Sequence, residues 1–578
     1  MLTLDEKLTA EPYQRRRPHR ADHAPSLNSC WSLGAGRGTV MYHPKETTEI
    51  GAGLRYPIKD VMKTTTMYRH ETTDLRGLGR MGHSGFFGTL GFFILSSAIL
   101  GNTVFLNKAW AQTIAPPEVT HREQVAYKEE KGALPDGTGY LIRIPEEWNG
   151  TLIRDLDYVA MVGQQGRADR YEHLLNSGYA LAGTGRHPLR QWQYDPAREI
   201  SKLDLVLDRF EATYGEPERV IQFGCSGGGH VSLAVAEDFS DRIDGSVVLS
   251  GHTPVWIMNS FLDGWFALQS LLGEYYVEAG HGPASDLAIT ELLNDGSSNP
   301  SGHGMTGSLP EAWRKAFDAA QESPEGRARM ALAFVLGQWP AWMADDTSKP
   351  DLNNVEELQE AMYHSLLRLS QSPGGEARIM FENSAQGQQL SWNENVDYAE
   401  FYENGNPALK NAVEQLYQEA GLDLQADIQK INDMPGVLAS SHAMEYWSAP
   451  GRTIVGDPKI PVIRLHSLGD YQIPYTLMLG YEDLVAENGN SDLLRTALIR
   501  STGHCTESAI STAESTAAIE VLNRRLDAGE WPSTEAKDLN ALANSLGTGT
   551  PARFMPLGGH DVGEYNRAWV PAASSQDN

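Results

Sequence analysis

A single serine stands among glycines where a strand pattern gives way to a helix pattern. Residues 219–229 read RVIQFGCSGGG, and apolar residues at helical spacing follow them. A sharp strand-to-helix turn holds its apex residue at strained backbone angles, and glycines on either side let strand and helix approach closely. The pattern therefore predicts that Ser226 is a nucleophile. The alternative is a phosphate-binding glycine loop, which is disfavoured because no lysine follows at P-loop spacing.

A serine hydroxyl needs a general base, and the base needs an acid that orients it. In the fold that uses such a turn, the chain order is Ser, then Asp or Glu, then His, with the last two in loops after later strands. Asp470 follows the strand pattern VIRLHS, and His504 follows TALIRS. We therefore predict a triad of Ser226, His504 and Asp470. The competing candidates for acid and base are Glu482, Asp483, His442 and His466.

Two of the three cysteines adjoin these candidates. Cys225 precedes Ser226 and Cys505 follows His504, whereas Cys30 lies in the N-terminal segment. Disulfide-bonded cysteines have Cα atoms about 4.4–6.8 Å apart, so a Cys225–Cys505 bond would bring nucleophile and base together. The sequence therefore predicts this disulfide, which is typical of proteins in oxidising compartments.

The tetrahedral intermediate of acyl transfer needs hydrogen-bond donors for its oxyanion. One donor is expected to be the backbone N–H of Gly227, directly after the nucleophile. The second should come from the loop after an early strand, and a strand pattern at 150–160 places Tyr158 there. We therefore predict Tyr158 N–H as the second donor. The predicted mechanism needs neither a metal ion nor an organic cofactor.

Alternating strand and helix patterns carry these residues. Residues 198–214 have one apolar helical face and end at Gly215, a residue that favours helix ends. Repeated strand–helix–strand units predict a mostly parallel sheet with helices on both faces. From about 254 to 461 the pattern is helical and rich in large aromatic residues. Strands are predicted at 139–145, 150–160, 178–185, 219–224, 245–251, 460–470 and 493–505.

The pairs Cys225-Ser226 and His504-Cys505, with Asp470 between them, resemble the CS-D-HC arrangement of the tannase and feruloyl esterase family. The resemblance implies an α/β-hydrolase fold that cleaves carboxylic esters beneath a large helical lid. The implied substrate is a small-molecule or oligomeric ester. The domain boundaries that follow are a core at 112–255 and 456–525, a helical lid at 256–455 and a loop-rich tail at 526–578.

The N-terminal 111 residues differ from the rest. Residues 81–111 follow the basic residues Arg76 and Arg80, contain an apolar stretch and end in Ala-Trp-Ala before Gln112, which indicates a signal peptide ending near Ala111. A permanent membrane anchor is the alternative, because the apolar stretch approaches spanning length. Residues 1–80 would then be disordered or of doubtful translation. We expect a secreted or periplasmic protein without stable membrane association after processing.

The charge balance excludes some partners. Lys and Arg number 47 against 75 Asp and Glu, a net charge of −28. An acidic surface repels nucleic-acid phosphates and anionic lipid headgroups, so we expect no nucleic-acid partner. The sequence favours an exported serine esterase. The alternatives are an exported peptidase or amidase on the same fold and a non-catalytic binding protein.

Overall fold

A computed structural model describes residues 125–164, 168–186, 194–287, 289–290, 308–344, 346–370, 374–556 and 567. The signal peptide predicted at 81–111 and the leader at 1–80 lie outside the described residues. Within the described ranges, no helix combines the length and the apolar character needed to cross a bilayer.

One sheet organises the chain. Its strands are β1 (Tyr127–Ala133), β2 (Gly139–Pro145), β3 (Thr151–Asp155), β4 (Ala180–Thr184), β5 (Arg219–Cys225), β6 (Gly245–Leu249), β7 (Val462–Gly469), β8 (Leu494–Thr502) and β9 (Phe554–Met555). Their order across the sheet is β1-β2-β4-β3-β5-β6-β7-β8-β9. The strands from β4 to β8 in this order run parallel, and β1, β2 and β9 pair antiparallel at the two ends.

The α-helices are numbered in the order in which they occur along the chain. They are α1 (Tyr158–Met161), α2 (Ala168–Asn176), α3 (Pro196–Tyr214), α4 (Gly227–Asp238), α5 (Pro254–Glu278), α6 (Ser308–Gln321), α7 (Pro324–Leu336), α8 (Val355–Ser370), α9 (Gly374–Ser384), α10 (Tyr398–Glu403), α11 (Pro407–Ala420), α12 (Leu424–Asn432), α13 (Ser441–Trp447), α14 (Thr476–Glu487), α15 (Thr512–Ala528) and α16 (Ala536–Ser545).

Helices cover both faces of the sheet. Residues of α2, α15 and α16 form one core with the sheet, including Leu174, Leu522 and Leu539. On the opposite face α3 and α4 pack through residues such as Phe210 and Val235. Every residue of β3, β4, β6 and β7 is buried, as expected for parallel strands enclosed on both sides. The α/β-hydrolase fold predicted from the sequence is confirmed.

Helices α5 to α13 fill the interval between β6 and β7, and they form a separate aromatic core. Trp265 stands at its centre, with ring centroids 4.7 Å from Trp313 and 6.0 Å from Trp339. We call this segment, residues 254–447, the helical insertion. It contacts the sheet where β7 ends: a Cβ added to Gly469 would lie 2.1 Å from the backbone oxygen of Trp342.

The structure differs from the predicted elements in three places. The strand predicted at 150–160 ends at Asp155, and Tyr158 instead begins the short helix α1. Strand β1 was not predicted. The described part of the segment 526–578 includes α16, and β9 pairs with β8.

Candidate active site

Ser226 occupies the turn between β5 and α4. Its φ of 58° and ψ of −122° lie in the strained region that a strand-to-helix nucleophile turn requires. A Cβ on Gly224 would come within 2.4 Å of the Gly228 backbone, and a Cβ on Gly229 within 2.8 Å of Gly251 Cα. The glycines are therefore required because backbone packs directly against backbone. The predicted strand–turn–helix geometry around the serine is present.

Asp470 and His504 follow β7 and β8, and they are hydrogen-bonded to each other. His504 Nδ1 donates to Asp470 Oδ2 at 2.8 Å and lies 3.1 Å from Oδ1. The backbone N–H groups of Gln472 and Ile473 also donate to Oδ1, at 2.9 and 3.1 Å. The carboxylate is fully buried. The loop after β7 therefore holds the acid in one orientation, and the acid holds the imidazole.

The electrostatics of Asp470 suit a permanently charged acid. Burial alone would raise its pKa, but the charge and hydrogen bond of His504, with smaller contributions from His466 and the Gln472 N–H, lower the pKa overall. An ionised carboxylate favours the tautomer of His504 that carries its proton on Nδ1. Nε2 is buried and has no hydrogen-bond partner among the residues the structure describes. This nitrogen is thus left with the lone pair that a general base needs.

A disulfide joins the two halves of the candidate site. Cys225 and Cys505 are bonded, with their Cα atoms 6.0 Å apart. Because these cysteines are the chain neighbours of Ser226 and His504, the bond brings the two candidate residues close together. Cys505, like the serine, has a positive φ of 58°. The predicted cysteine pairing is therefore present at the point where nucleophile and base would meet.

The alternative acids and bases have other positions. His466 lies within β7, where its Nε2 is 2.7 Å from the backbone oxygen of Ile473 and 3.8 Å from Asp470 Oδ2. Burial lowers its pKa to about 4, so its ring is neutral at physiological pH. Glu482 and Asp483 lie in α14, and His442 lies in α13. His504 is the histidine that the structure places within hydrogen-bond distance of Asp470.

Gly227 and Tyr158, the predicted oxyanion donors, each begin a helix. The first N–H groups of a helix have no partner within it, and they form a site for negative charge. The loop before Tyr158 lies against α4, since a Cβ added to Gly228 would be 3.4 Å from Asp157 Oδ2. The side chain of Tyr158 is buried. The role of its N–H as second donor stays a prediction.

Sequence reasoning missed an ion pair beside the turn. Arg186 follows β4, and its Nε and Nη2 donate to the two carboxylate oxygens of Asp157 at 2.6 and 2.7 Å. A Cβ on Gly227 would lie 2.8 Å from Arg186 Nη1 and 3.0 Å from the Tyr194 hydroxyl. Tyr194 in turn donates to the backbone oxygen of Gly227 at 3.1 Å. The available signal was position: Arg186 directly follows a strand at the edge where Ser226 was expected.

A second carboxyl group lies behind this pair. Asp155 is buried at the end of β3, where its Oδ2 accepts a 2.5 Å hydrogen bond from the Tyr171 hydroxyl. Its Oδ1 accepts the N–H of Asp157 at 3.0 Å. Burial, followed by the charge of Asp157, raises the pKa of Asp155 to about 7. Across the described ranges, no group of three or more His, Cys, Asp or Glu side chains could hold a metal ion.

Comparison with known proteins finds a strong sequence similarity. An o-phthalyl amidase of Xanthobacter agilis is 66% identical over 449 residues, which are 78% of this chain and 98% of the relative. No protein-family model matches the sequence.

Similarities to solved structures are weaker. Feruloyl esterase B from Aspergillus oryzae is 14% identical with a TM-score of 0.34, and the match covers 71% of this chain and 82% of that one. An acylaminoacyl peptidase from Pyrococcus horikoshii is 9% identical with a TM-score of 0.32, covering 72% and 44%. Similarities at this level do not bear on what the chain does.

Proposed function

Because the chain belongs to the family of the Xanthobacter agilis o-phthalyl amidase, we propose that it is an exported serine hydrolase that cleaves amides of o-phthalyl type. The observation that carries this proposal is the buried Asp470–His504 hydrogen bond, tied to Ser226 by the adjacent disulfide. In the proposal, Asp470 is the acid, His504 the base and Ser226 the nucleophile, and their chain order is the one that the fold requires.

The proposed reaction passes through an acyl-enzyme. His504 Nε2 accepts the proton of the Ser226 hydroxyl while the serine oxygen attacks the substrate carbonyl carbon. The Gly227 N–H stabilises the resulting oxyanion, and the imidazolium, held by Asp470, donates its proton to the leaving nitrogen. The carbon–nitrogen bond breaks and the amine departs. A water molecule, deprotonated by the same imidazole, then attacks the acyl carbon. The imidazolium returns this proton to the Ser226 oxygen as the bond between serine and acyl carbon breaks, which releases the carboxylic acid and restores the hydroxyl.

Esters of the same acyl group are expected substrates as well. The proposed triad would cleave amides and esters by the same steps, and an alcohol leaves more readily than an amine. Ester cleavage is also what the resemblance to the tannase and feruloyl esterase family implies. The name of the relative, an amidase, makes the amide the more informative substrate to test. In the proposal, the helical insertion acts as the lid that selects the acyl group.

The disulfide supports export. Stable disulfides are typical of oxidising compartments, and the Cys225–Cys505 bond joins residues that are 280 positions apart in the chain. The signal peptide predicted at 81–111 would direct this export. N-terminal sequencing of the secreted protein should begin near Gln112. An intact leader in the membrane fraction would instead favour the anchor.

The proposal is tested with Ser226→Ala. Removing the hydroxyl should lower hydrolysis of 2-carboxybenzoyl-p-nitroanilide by at least about 10⁴-fold, because no covalent intermediate can form. A fluorophosphonate probe should label the parent protein at Ser226 and leave the variant unlabelled. The melting temperature should stay close to that of the parent.

The matched control is Ser232→Ala, which removes a buried hydroxyl from the same helix α4; this hydroxyl donates to the Gly228 backbone oxygen at 3.0 Å. It should retain most of the activity. Residual hydrolysis of one tenth or more in Ser226→Ala would exclude Ser226 as the nucleophile. A protein that is neither labelled nor active would favour the non-catalytic binding protein.

A further inference from the structure

We propose that Arg186 forms a subsite for a carboxylate on the acyl part of the substrate, next to the carbonyl that Ser226 attacks. The inference rests on the proposed function and makes it more specific. It assigns the substrate class to acyl groups that carry a free carboxylate adjacent to the scissile carbonyl, such as the 2-carboxybenzoyl group.

Asp157 holds the guanidinium of Arg186 in place but uses only two of its three nitrogen atoms. Asp157 accepts hydrogen bonds from Nε and Nη2, and about nine tenths of both side chains are buried. The third nitrogen, Nη1, makes no hydrogen bond with the described part of the chain. Because Asp157 already fixes the orientation of the planar guanidinium group, little side-chain entropy is lost when Nη1 binds a ligand.

The free nitrogen lies beside the predicted oxyanion donor. Nη1 would be 2.8 Å from a Cβ on Gly227, the residue whose N–H would face the carbonyl oxygen of the substrate. In an ortho-dicarboxylic acid, the two carboxyl carbons are attached to neighbouring ring carbons. When one of them is bonded to Ser226, the second carboxylate lies next to the reacting carbon. In the orientation that faces the oxyanion, it would approach Gly227 and the neighbouring Arg186.

Asp155 and Asp157 lie near this nitrogen, but their repulsion of a bound carboxylate is weakened by the groups that pair with them. Asp157 is paired with Arg186, and Asp155 is engaged by the Tyr171 hydroxyl and by a backbone N–H. The positive charge of Arg170 in α2 also acts on Asp155 and lowers its pKa, against the larger effects of burial and Asp157. A guanidinium that faces a ligand through its unused nitrogen can bind a carboxylate by charge-assisted hydrogen bonds.

A comparison within the chain separates this pair from a purely structural one. Arg329 makes the same two-pronged contact with Asp427, at 2.8 and 3.2 Å, inside the helical insertion. There the third nitrogen is also used, because Nη1 donates to the Tyr275 hydroxyl at 3.3 Å. At Arg186 the corresponding nitrogen is left unused next to the residue that follows the nucleophile. The position of this unused nitrogen, next to the candidate nucleophile, is what suits it to a ligand.

The first experiment compares kcat/KM for 2-carboxybenzoyl- and benzoyl-p-nitroanilide. Arg186→Gln should lower the preference for the carboxylated substrate roughly 10- to 100-fold, the effect of losing a hydrogen bond to a charged group. Arg186→Lys should recover part of that preference, because it restores the charge without the fork. The control Arg329→Gln should leave the ratio of the two substrates at its parent value, as a structural role would.

The second experiment measures binding without catalysis. Calorimetry on Ser226→Ala should detect phthalate at least about tenfold more tightly bound than benzoate, and addition of Arg186→Gln should remove the difference. If Arg186→Gln does not fold because Asp157 loses the guanidinium, the same titration is made with Asp157→Asn and Arg186→Gln combined.

The outcomes separate the two proposals. An unchanged substrate ratio in a folded Arg186→Gln protein, or equal binding of phthalate and benzoate by Ser226→Ala, overturns the subsite. Phthalate binding that depends on Arg186 in a protein without hydrolytic activity supports the subsite and contradicts the proposed function.

Discussion

The sheet and the helical insertion both bury an aspartate, but they complete its hydrogen bonds differently. In the insertion, Asp263 accepts from Tyr398 at 2.9 Å and from Arg567 at 2.8 Å, residues 135 and 304 positions away in the chain. At the end of the sheet, Asp470 accepts from its own loop and from His504, whose second nitrogen has no partner among the described residues. The insertion's network is closed, whereas the sheet's network ends at an imidazole nitrogen available for chemistry.

One glycine near Ser226 and one in the insertion also differ in what surrounds them. A Cβ on Gly251 would meet the backbone of Gly229 at 2.5 Å, whereas a Cβ on Gly264 in the insertion would meet the side chain of Trp339 at 2.1 Å. Backbone cannot be replaced, but a side chain can be shortened. At these two positions, the packing near Ser226 therefore depends on main-chain geometry, and the packing in the insertion depends on a side chain.

The largest effect is expected for Asp470, whose replacement should reduce activity, whereas replacement of Asp263 should reduce stability. Asp470→Asn should lower kcat/KM by about 10⁴-fold, because an amide no longer favours the productive tautomer of His504. Asp263→Asn should instead lower the free energy of unfolding by about 3–5 kcal/mol, because Arg567 loses its buried partner. Kinetics and urea unfolding of both variants check this. A loss below tenfold for Asp470→Asn would remove it from the triad.

The different surroundings of Gly251 and Gly264 predict that a second substitution can offset the loss of stability at Gly264 but not at Gly251. Gly251→Ala should destabilise the protein by about 3 kcal/mol or more, because the backbones of two turns must separate. Gly264→Ala should also destabilise, but combining it with Trp339→Phe should cost less than the sum of the two changes by about 1 kcal/mol. A double-mutant cycle measured by urea unfolding gives this coupling. Additive effects would show that the insertion is as rigid as the turn.

Loss of the disulfide should have an intermediate effect. Replacing both Cys225 and Cys505 by Ser should lower the free energy of unfolding by about 2–5 kcal/mol, since the unfolded chain is no longer cross-linked. Activity should fall as well, because Ser226 and His504 lose their link. In the unreduced parent, peptide mapping should find neither cysteine alkylated. Reaction of both with the reagent would contradict the bond.

The last prediction concerns the pH dependence of stability, where the change expected within one pH unit is small. The pKa of Asp155 is raised from 3.8 to about 7 in the folded chain, so the folded state binds more protons in that interval. The stability it contributes is fully present below the lower value and is lost as pH rises through the higher one. Asp155→Asn should reduce this slope by up to about 1.4 kcal/mol per pH unit. Urea unfolding across that interval measures it, and an unchanged slope would show that Asp155 titrates normally.

Most elements of the core were predictable from the sequence because their patterns are local. The residues around Ser226 specify a strand, a tight turn and a helix by sterics alone, and the apolar face of α3 ends at Gly215 as predicted. Strand β1 was missed because its sequence, YKEEKGA, is polar and mostly exposed. The strand at 150–160 was predicted too long because Leu156 and Tyr158 continue the apolar pattern while the chain is already turning.

The sequence by itself determined the candidate residues for acyl transfer and the cysteine pair beside them, because residue type, chain order and adjacency carry that information. Only the tertiary structure decided that Arg186 stands beside Gly227 with one nitrogen unused, and that Arg567 enters the core of the insertion. Such contacts join side chains from elements far apart in the chain, and no local pattern of spacing or hydropathy records them. The proposed chemistry can therefore be predicted from the sequence, whereas the proposed recognition of a particular acyl group depends on how the folded chain brings its side chains together.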